Sequence, residues 1–380
     1  VWIDGVPEVE LGHLGADWMV QLKGAQVLLR HRSEQIDLDD VLAFSGEAFS
    51  LCHSDHWELR TSLSVPIDSL GELAKAFGYE GRWRTADTFG VMVGKGVEAS
   101  RQQTQGVLDD LWSEIDAARP VLVSGIDGHC GNWYVATGYD SLSQQMQYVG
   151  GEGPLWDGIS GLTLDTCGDP GVGKLGFWDS RVRGAIRSGF VGGWLSDVAF
   201  ILGEKTQHVS SRDRVVAALQ LATHMVRPGA LTRMPYFGVT YFFGEDAYRQ
   251  WARDLHDLDY PADVNAPRPT NPEVYVLDAM TYQVQQIVRG RSAAATFCDR
   301  SASVVPEAAH CLRAAAEAYR GEARWAADGF APFLSGDEES WQAWLSDATK
   351  RRAGATSILR MLEKERAAVA EVEKALDLVG

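Results

Sequence analysis

The chain has 380 residues, of which 45% are hydrophobic and 23% charged, the balance of a globular protein with a sizeable buried core. Asp and Glu number 52 against 35 Lys and Arg, and the formal charge of −17 repels phosphate backbones and anionic membrane surfaces while drawing cationic ligands. The longest basic run is Lys350-Arg351-Arg352, and no apolar run reaches the roughly 18 residues of a membrane-crossing helix, so neither nucleic-acid binding nor a membrane span is expected.

Five cysteines, Cys52, Cys130, Cys167, Cys298 and Cys311, are sparse and odd in number. They suit free thiols in a reducing compartment better than a disulfide framework, and a cytoplasmic location is the expectation. The segment VWIDGVPEVE has neither a basic stretch nor an apolar one, so no secretory signal is read there; the chain does not open on Met, which leaves a lost leader open. The 13 Trp predict a well-filled core, with an aromatic-walled ligand pocket as the alternative.

In chain order, Trp18, Leu22, Ala25 and Leu29 recur at helical spacing and predict a helix over 17–31 with Asp17 as its cap. An acidic turn at Asp37, Asp39 and Asp40 leads into FSGEAF; it lacks the Gly and terminal Glu of a calcium loop and reads as a solvated turn and helix cap. Helices follow over 67–77, ending at Gly78, and over 98–118, with Leu108, Leu111, Trp112 and Ile115 on one face and a stop at Pro120. The pattern then turns to short apolar runs, and 121–123, 133–137 and 146–149 predict consecutive strands. Residues 150–196 are rich in Gly and Asp and predict a long loop region, and 198–202 a further strand.

From Ser210 helices dominate, over 211–226, 244–257, 271–298, 304–328, 338–349 and 355–379. In the last, Ile358, Leu362, Val369, Val372 and Leu376 form an apolar stripe, the mark of a packed core helix, with a homodimer or partner helix as the minority reading. Glu245 and Asp246 complement a helix dipole, and His224 and His310 read as core histidines. The segment 168–174, GDPGVGK, has the spacing of a phosphate loop, but Leu175 replaces the magnesium-binding hydroxyl and Pro170 removes an amide; it reads as a turn-rich loop.

The early helix, Ser45-Gly46-Glu47-Ala48-Phe49, and NWYVATGYD ending at Asp140 together resemble the papain-like, butirosin biosynthesis protein H-type family. FILGEKT at 200–206, GEDAYRQWA at 244–252 and AAEAY at 315–319 resemble the helical extension of its bacterial members. The resemblance implies a papain-like α/β (α+β) region over 1–205 and a helical region over 206–380 packed against it. It also implies an acyl-transfer chemistry in bacterial specialised metabolism, with a Cys at the start of the central helix and a His on the strand before GYD. At those places this sequence carries Ala16-Asp17-Trp18 and Asn132, so the usual triad is missing.

Two local clusters offer replacements. Cys52-His53-Ser54-Asp55-His56 follows FSGEAF, and Asp127-Gly128-His129-Cys130 precedes the strand that normally supplies the His. In one reading Cys52 pairs with His56 or His129 as thiolate and base, with Asn132 or Asp140 as the orienting group. In another, Cys52, His53, His56, His129 and Cys130 supply metal ligands, although C-H-x-x-H with a distant H-C is no established zinc spacing. In the third they are ordinary loop and core residues.

The sequence thus predicts an enzyme acting on an acyl or amide-type bond of a small molecule or peptide, an acyltransferase or hydrolase whose site needs no cofactor. The alternatives are a catalytically inactive papain-like protein that binds such a ligand, and a metal-dependent Cys/His enzyme.

Overall fold

A computed structural model describes residues 1, 3–6, 19–55, 57, 67–86, 97–124, 133–140, 145–149, 162–163, 197–234, 239–259, 276–335 and 337–380. Among the described residues the fold is mixed, α+β, with two antiparallel sheets and a mostly helical C-terminal half. The chain forms two compact units, one of residues 1–37 and 79–206, the other of 38–78 and 207–380. Segment 38–78 therefore packs with the C-terminal helices, whereas the sequence pattern suggested one cut near 205.

The first unit contains α1 (Val20–His31), β2 (Tyr79–Ala86), α4 (Val97–Asp116), β3 (Val121–Ser124), β4 (Trp133–Asp140), β5 (Gln145–Val149), β6 (Leu162–Thr163) and β7 (Asp197–Lys205). Its strands form one sheet in the order β2-β7-β3-β4-β5-β6, antiparallel throughout. Strand alternation sorts the side chains between two faces. Val121, Val123, Tyr134, Ala136, Ala199 and Ile201 pack against Val107, Leu111 and Ile115 of α4. Leu122 lies under α1, where Gly24 comes so close that a methyl group would meet Leu122 Cδ1 at 2.4 Å. Trp83, Phe200 and Trp133 run edge to face across β2, β7 and β4. Gly138, Tyr139 and Asp140 continue β4, with Asp140 opposite Gln145, so GYD is the end of a strand and not a turn.

The second unit holds α2 (Leu38–Phe44), a 3-10 turn (Glu47–Phe49), β1 (Cys52–Ser54), α3 (Ser69–Ala76), α5 (Ser211–Val226), β8 (Gly229–Met234), β9 (Val239–Phe243) and α6 (Glu245–Asp257). It continues through α7 (Val276–Val304), α8 (Ala309–Gly329), α9 (Pro332–Ser335), α10 (Glu338–Ser346) and α11 (Ala348–Val379). Asp39 and Asp40 lie in the first turn of α2, where they complement its dipole. The long C-terminal helix begins at Ala348, earlier than its apolar stripe suggested, because the Asp347 side chain accepts from the amides of Thr349 (2.8 Å) and Lys350 (3.3 Å). Those two bonds hold the Asp347 carboxyl below its ordinary range. The apolar faces of α6, α7, α8 and α11 meet around Trp251, Met280, Phe330, Phe333, Ile358 and Met361. Among the described residues no helix is long and apolar enough to cross a membrane.

Beyond the end of α3, Gly78 takes a left-handed φ of +79° and its carbonyl accepts from the amide of Gln207 at 3.3 Å. A Cβ at 78 would stand 2.1 Å from the Gln207 backbone oxygen, which no side-chain rotation relieves. Gly78→Ala is expected to cost about 3 kcal/mol, roughly half from the left-handed backbone and half from the clash. Urea denaturation of wild type and variant measures it, and a loss under about 1 kcal/mol counts against this account of the turn.

Candidate functional site

The segment before β1 is set by its own polar groups. All of 41–54 is buried, including Ser45, Glu47 and Ser50. Buried polar groups need partners, and here they find them locally. Ser45 Oγ donates to Leu42 O, and the carboxylate of Glu47 accepts from Ser50 Oγ (3.1 Å) and Ser69 Oγ (2.7 Å). Gln286 of α7 donates to Ser50 Oγ at 3.2 Å. The SGEAF segment is thus an interior anchor, and the chain leaves it directly into β1.

β1 is an edge strand paired with β9, with Cys52 opposite Phe243, His53 opposite Phe242 and Ser54 opposite Tyr241. Consecutive residues of a strand face opposite sides, so Cys52 and His53 part company. Cys52 forms no disulfide and is 3% exposed, closed in with Tyr241 and Phe243. His53 turns the other way, toward α6 and α7. Its Nε2 lies 2.8 Å from Asp254 Oδ2, and Gln283 Nε2 donates to its Nδ1 at 2.6 Å. Both ring nitrogens thus have a partner, the Asp254 carboxylate at Nε2 and the Gln283 amide at Nδ1. Gln250, one turn before Asp254 on α6, donates to Asp254 Oδ1 at 2.7 Å. The indole of Trp57 stands edge-on to the imidazole, 4.9 Å between centroids. Trp57 holds that position at a φ of +56°, a strained conformation for a large side chain, retained because the ring is buried.

This arrangement is an oriented imidazole with both nitrogens occupied. It has the carboxylate that orients a catalytic histidine, but Gln283 covers the nitrogen that would take a proton from a nucleophile.

Of the residues the sequence nominated, Cys52 and His53 lie side by side on β1, on opposite faces, and do not pair with each other. Asp140 ends β4 and belongs to the other compact unit. His56, His129, Cys130 and Asn132 lie outside the described residues, as do Asp17 and the segment 168–174. Among the described residues no group of three or more His, Cys, Asp or Glu side chains is placed to hold a metal ion. His224 and His310 are exposed, in contrast to the core positions their neighbours suggested. Asp254 and Gln283 were not singled out in the sequence. The spacing of Gln250 and Asp254 marks one helix face, but nothing local joins that face to residue 53.

No protein-family model and no curated protein matches this chain.

If His53 and Asp254 form one unit, their effects on stability are not additive. A cycle of His53→Ala, Asp254→Ala and the double variant is expected to show about 1–3 kcal/mol of coupling in urea denaturation. Additive losses would mean that the contact contributes nothing of its own.

Proposed function

We propose that this chain is a papain-like protein of the butirosin biosynthesis protein H type that binds a small molecule or peptide without bonding covalently to it. The observation that carries the reading is the environment of Cys52: the sulfur of the candidate thiolate–imidazole pair is buried against two aromatic rings. A nucleophile has to reach the substrate, and its base must have a nitrogen to spare. Cys52 lacks exposure, and the adjacent histidine has both nitrogens engaged.

The papain-like part of the reading is supported by α1 packed on an antiparallel sheet that includes the β3–β4 pair, the arrangement the family resemblance implies. The absence of covalent chemistry is supported by Asp17 and Asn132, which stand where that family has its Cys and His. The ligand class follows from charge: at −17 the surface draws cations such as amines and aminoglycoside-like molecules, and weakens its pull as salt screens it. Among the described residues Cys52, Cys298 and Cys311 are buried and form no disulfide, which suits a reducing, cytoplasmic setting.

Two measurements test the proposal. Iodoacetamide at pH 7, followed by peptide mapping, is expected to leave Cys52 unmodified in the native protein and to label it after unfolding. Labelling of native Cys52 faster than a free thiol would instead support the acyl-transfer enzyme. A panel of polyamines and aminoglycosides is expected to raise Tm, with a stabilisation of about 2.7 kcal/mol at a hundredfold excess over Kd, diminished by added salt. No shift with any cation in the panel would remove the cationic ligand from the proposal.

A further inference from the structure

A second buried polar centre lies in the helical unit, apart from His53 and independent of the ligand reading. Arg291 of α7, Glu322 of α8 and Glu365 of α11 are all fully buried, with side chains no more than 1% exposed. Arg291 Nε donates to Glu365 Oε2 at 2.6 Å and lies 3.4 Å from Glu322 Oε1. Tyr248 of α6 donates to Glu322 Oε1 at 2.5 Å and accepts from Arg291 Nη2 at 2.9 Å. Tyr319 of α8 also faces the group, with Cys298 of α7 beyond it.

Two carboxylates and one guanidinium would leave a net negative charge in a dry interior, which is costly. Two carboxyl oxygens of the cluster, Glu322 Oε2 and Glu365 Oε1, have no donor, and the Tyr319 hydroxyl has no partner either. The two carboxyl groups nevertheless converge on Arg291 Nε and on the Tyr248 hydroxyl, which lies 2.5 Å from Glu322 Oε1 and 3.4 Å from Glu365 Oε2. We propose that Glu322 and Glu365 share one proton, carried on Glu322 Oε2 and donated to Glu365 Oε1, and that the helical unit is a proton-dependent assembly. A single proton neutralises the cluster and satisfies both orphaned oxygens. The short bond from Arg291 marks Glu365 as the carboxylate and Glu322 as the acid.

The electrostatics agree. Burial, then the charge of Glu365, drives the Glu322 carboxyl well above its ordinary value of 4.5, against the pull of Arg291. Burial drives the Tyr248 and Tyr319 hydroxyls up, so both stay neutral. Burial opposes the charge on Arg291, but its neighbours, the Glu365 carboxylate foremost, outweigh it.

The sign of the pH dependence follows. A carboxyl whose folded-state value is raised contributes stability that is complete below its unfolded value. That stability is lost as pH rises through the folded value. One extra bound proton lowers the folding constant tenfold per pH unit across that window. Glu322→Gln replaces the acid with a neutral donor and removes the proton.

The test compares urea unfolding of wild type and Glu322→Gln from pH 5.5 to 8.5. The variant is expected to gain on wild type by about tenfold in folding constant per pH unit until the folded value is passed. Parallel pH profiles overturn the proposal. Infrared spectra give a second reading that does not depend on the variant folding. The wild type at pH 7 should show the carbonyl stretch of a buried protonated carboxyl, lost together with the fold at alkaline pH. A native protein without that band at pH 7 also overturns it.

Discussion

The helical unit is organised around a charge that cannot reach water. Arg291 donates four hydrogen bonds, to Glu365, to the backbone oxygens of Ala48 and Ser50, and to Tyr248. Leaving a buried guanidinium short of acceptors is expensive, so any arrangement that loses one of these partners is penalised. Those partners come from α6, from α11 and from the segment before β1, which are far apart in sequence. Arg291 therefore ties together stretches that are far apart in sequence. Gly290 permits the approach, since a methyl there would already stand 3.2 Å from Ala48 O.

The same contact sets the candidate site. Once Ala48 and Ser50 are held against α7, Cys52 and His53 are placed within a few residues of a fixed point, and β9 fixes the register. Strand alternation then decides which side chain enters which environment. A shift of one residue would put the imidazole among Tyr241 and Phe243 and the thiol against Asp254 and Gln283. The register is held partly by Asp55, whose carboxylate accepts from the Thr240 amide at 3.0 Å and whose amide donates to Thr240 O at 3.1 Å.

The elements were legible in the sequence where burial follows a local period. The apolar faces of α4, α6, α8 and α11 declare themselves through Leu111 and Ile115, Trp251 and Leu255, Leu312 and Tyr319, Ile358 and Leu362. β2 was missed although Tyr79, Gly81, Trp83 and Thr85 alternate with Glu80, Arg82 and Arg84. The arginines hid the pattern because they are paired, Arg82 with Glu114 and Arg84 with Asp110 on α4. β1 is only three residues long and takes its strand character from β9, nearly 190 residues away, so no local signal specifies it. The buried ionic centre left a trace of another kind. Glu322 and Glu365 occupy positions on the apolar stripes of α8 and α11, where a carboxyl needs a partner out of sight of its own helix.

Two buried polar centres in one unit invite comparison, and their exposure separates them. Around Arg291 every ionisable partner is sealed, which suits a centre whose protonation is part of the folded state. Around His53 the Gln283 amide and the Trp57 ring are buried, while the Asp254 side chain is 18% exposed. Of these three contacts, Asp254 is thus the one that solvent touches. The partly exposed carboxylate, and not the buried thiol, is the part of the β1 environment that solvent reaches.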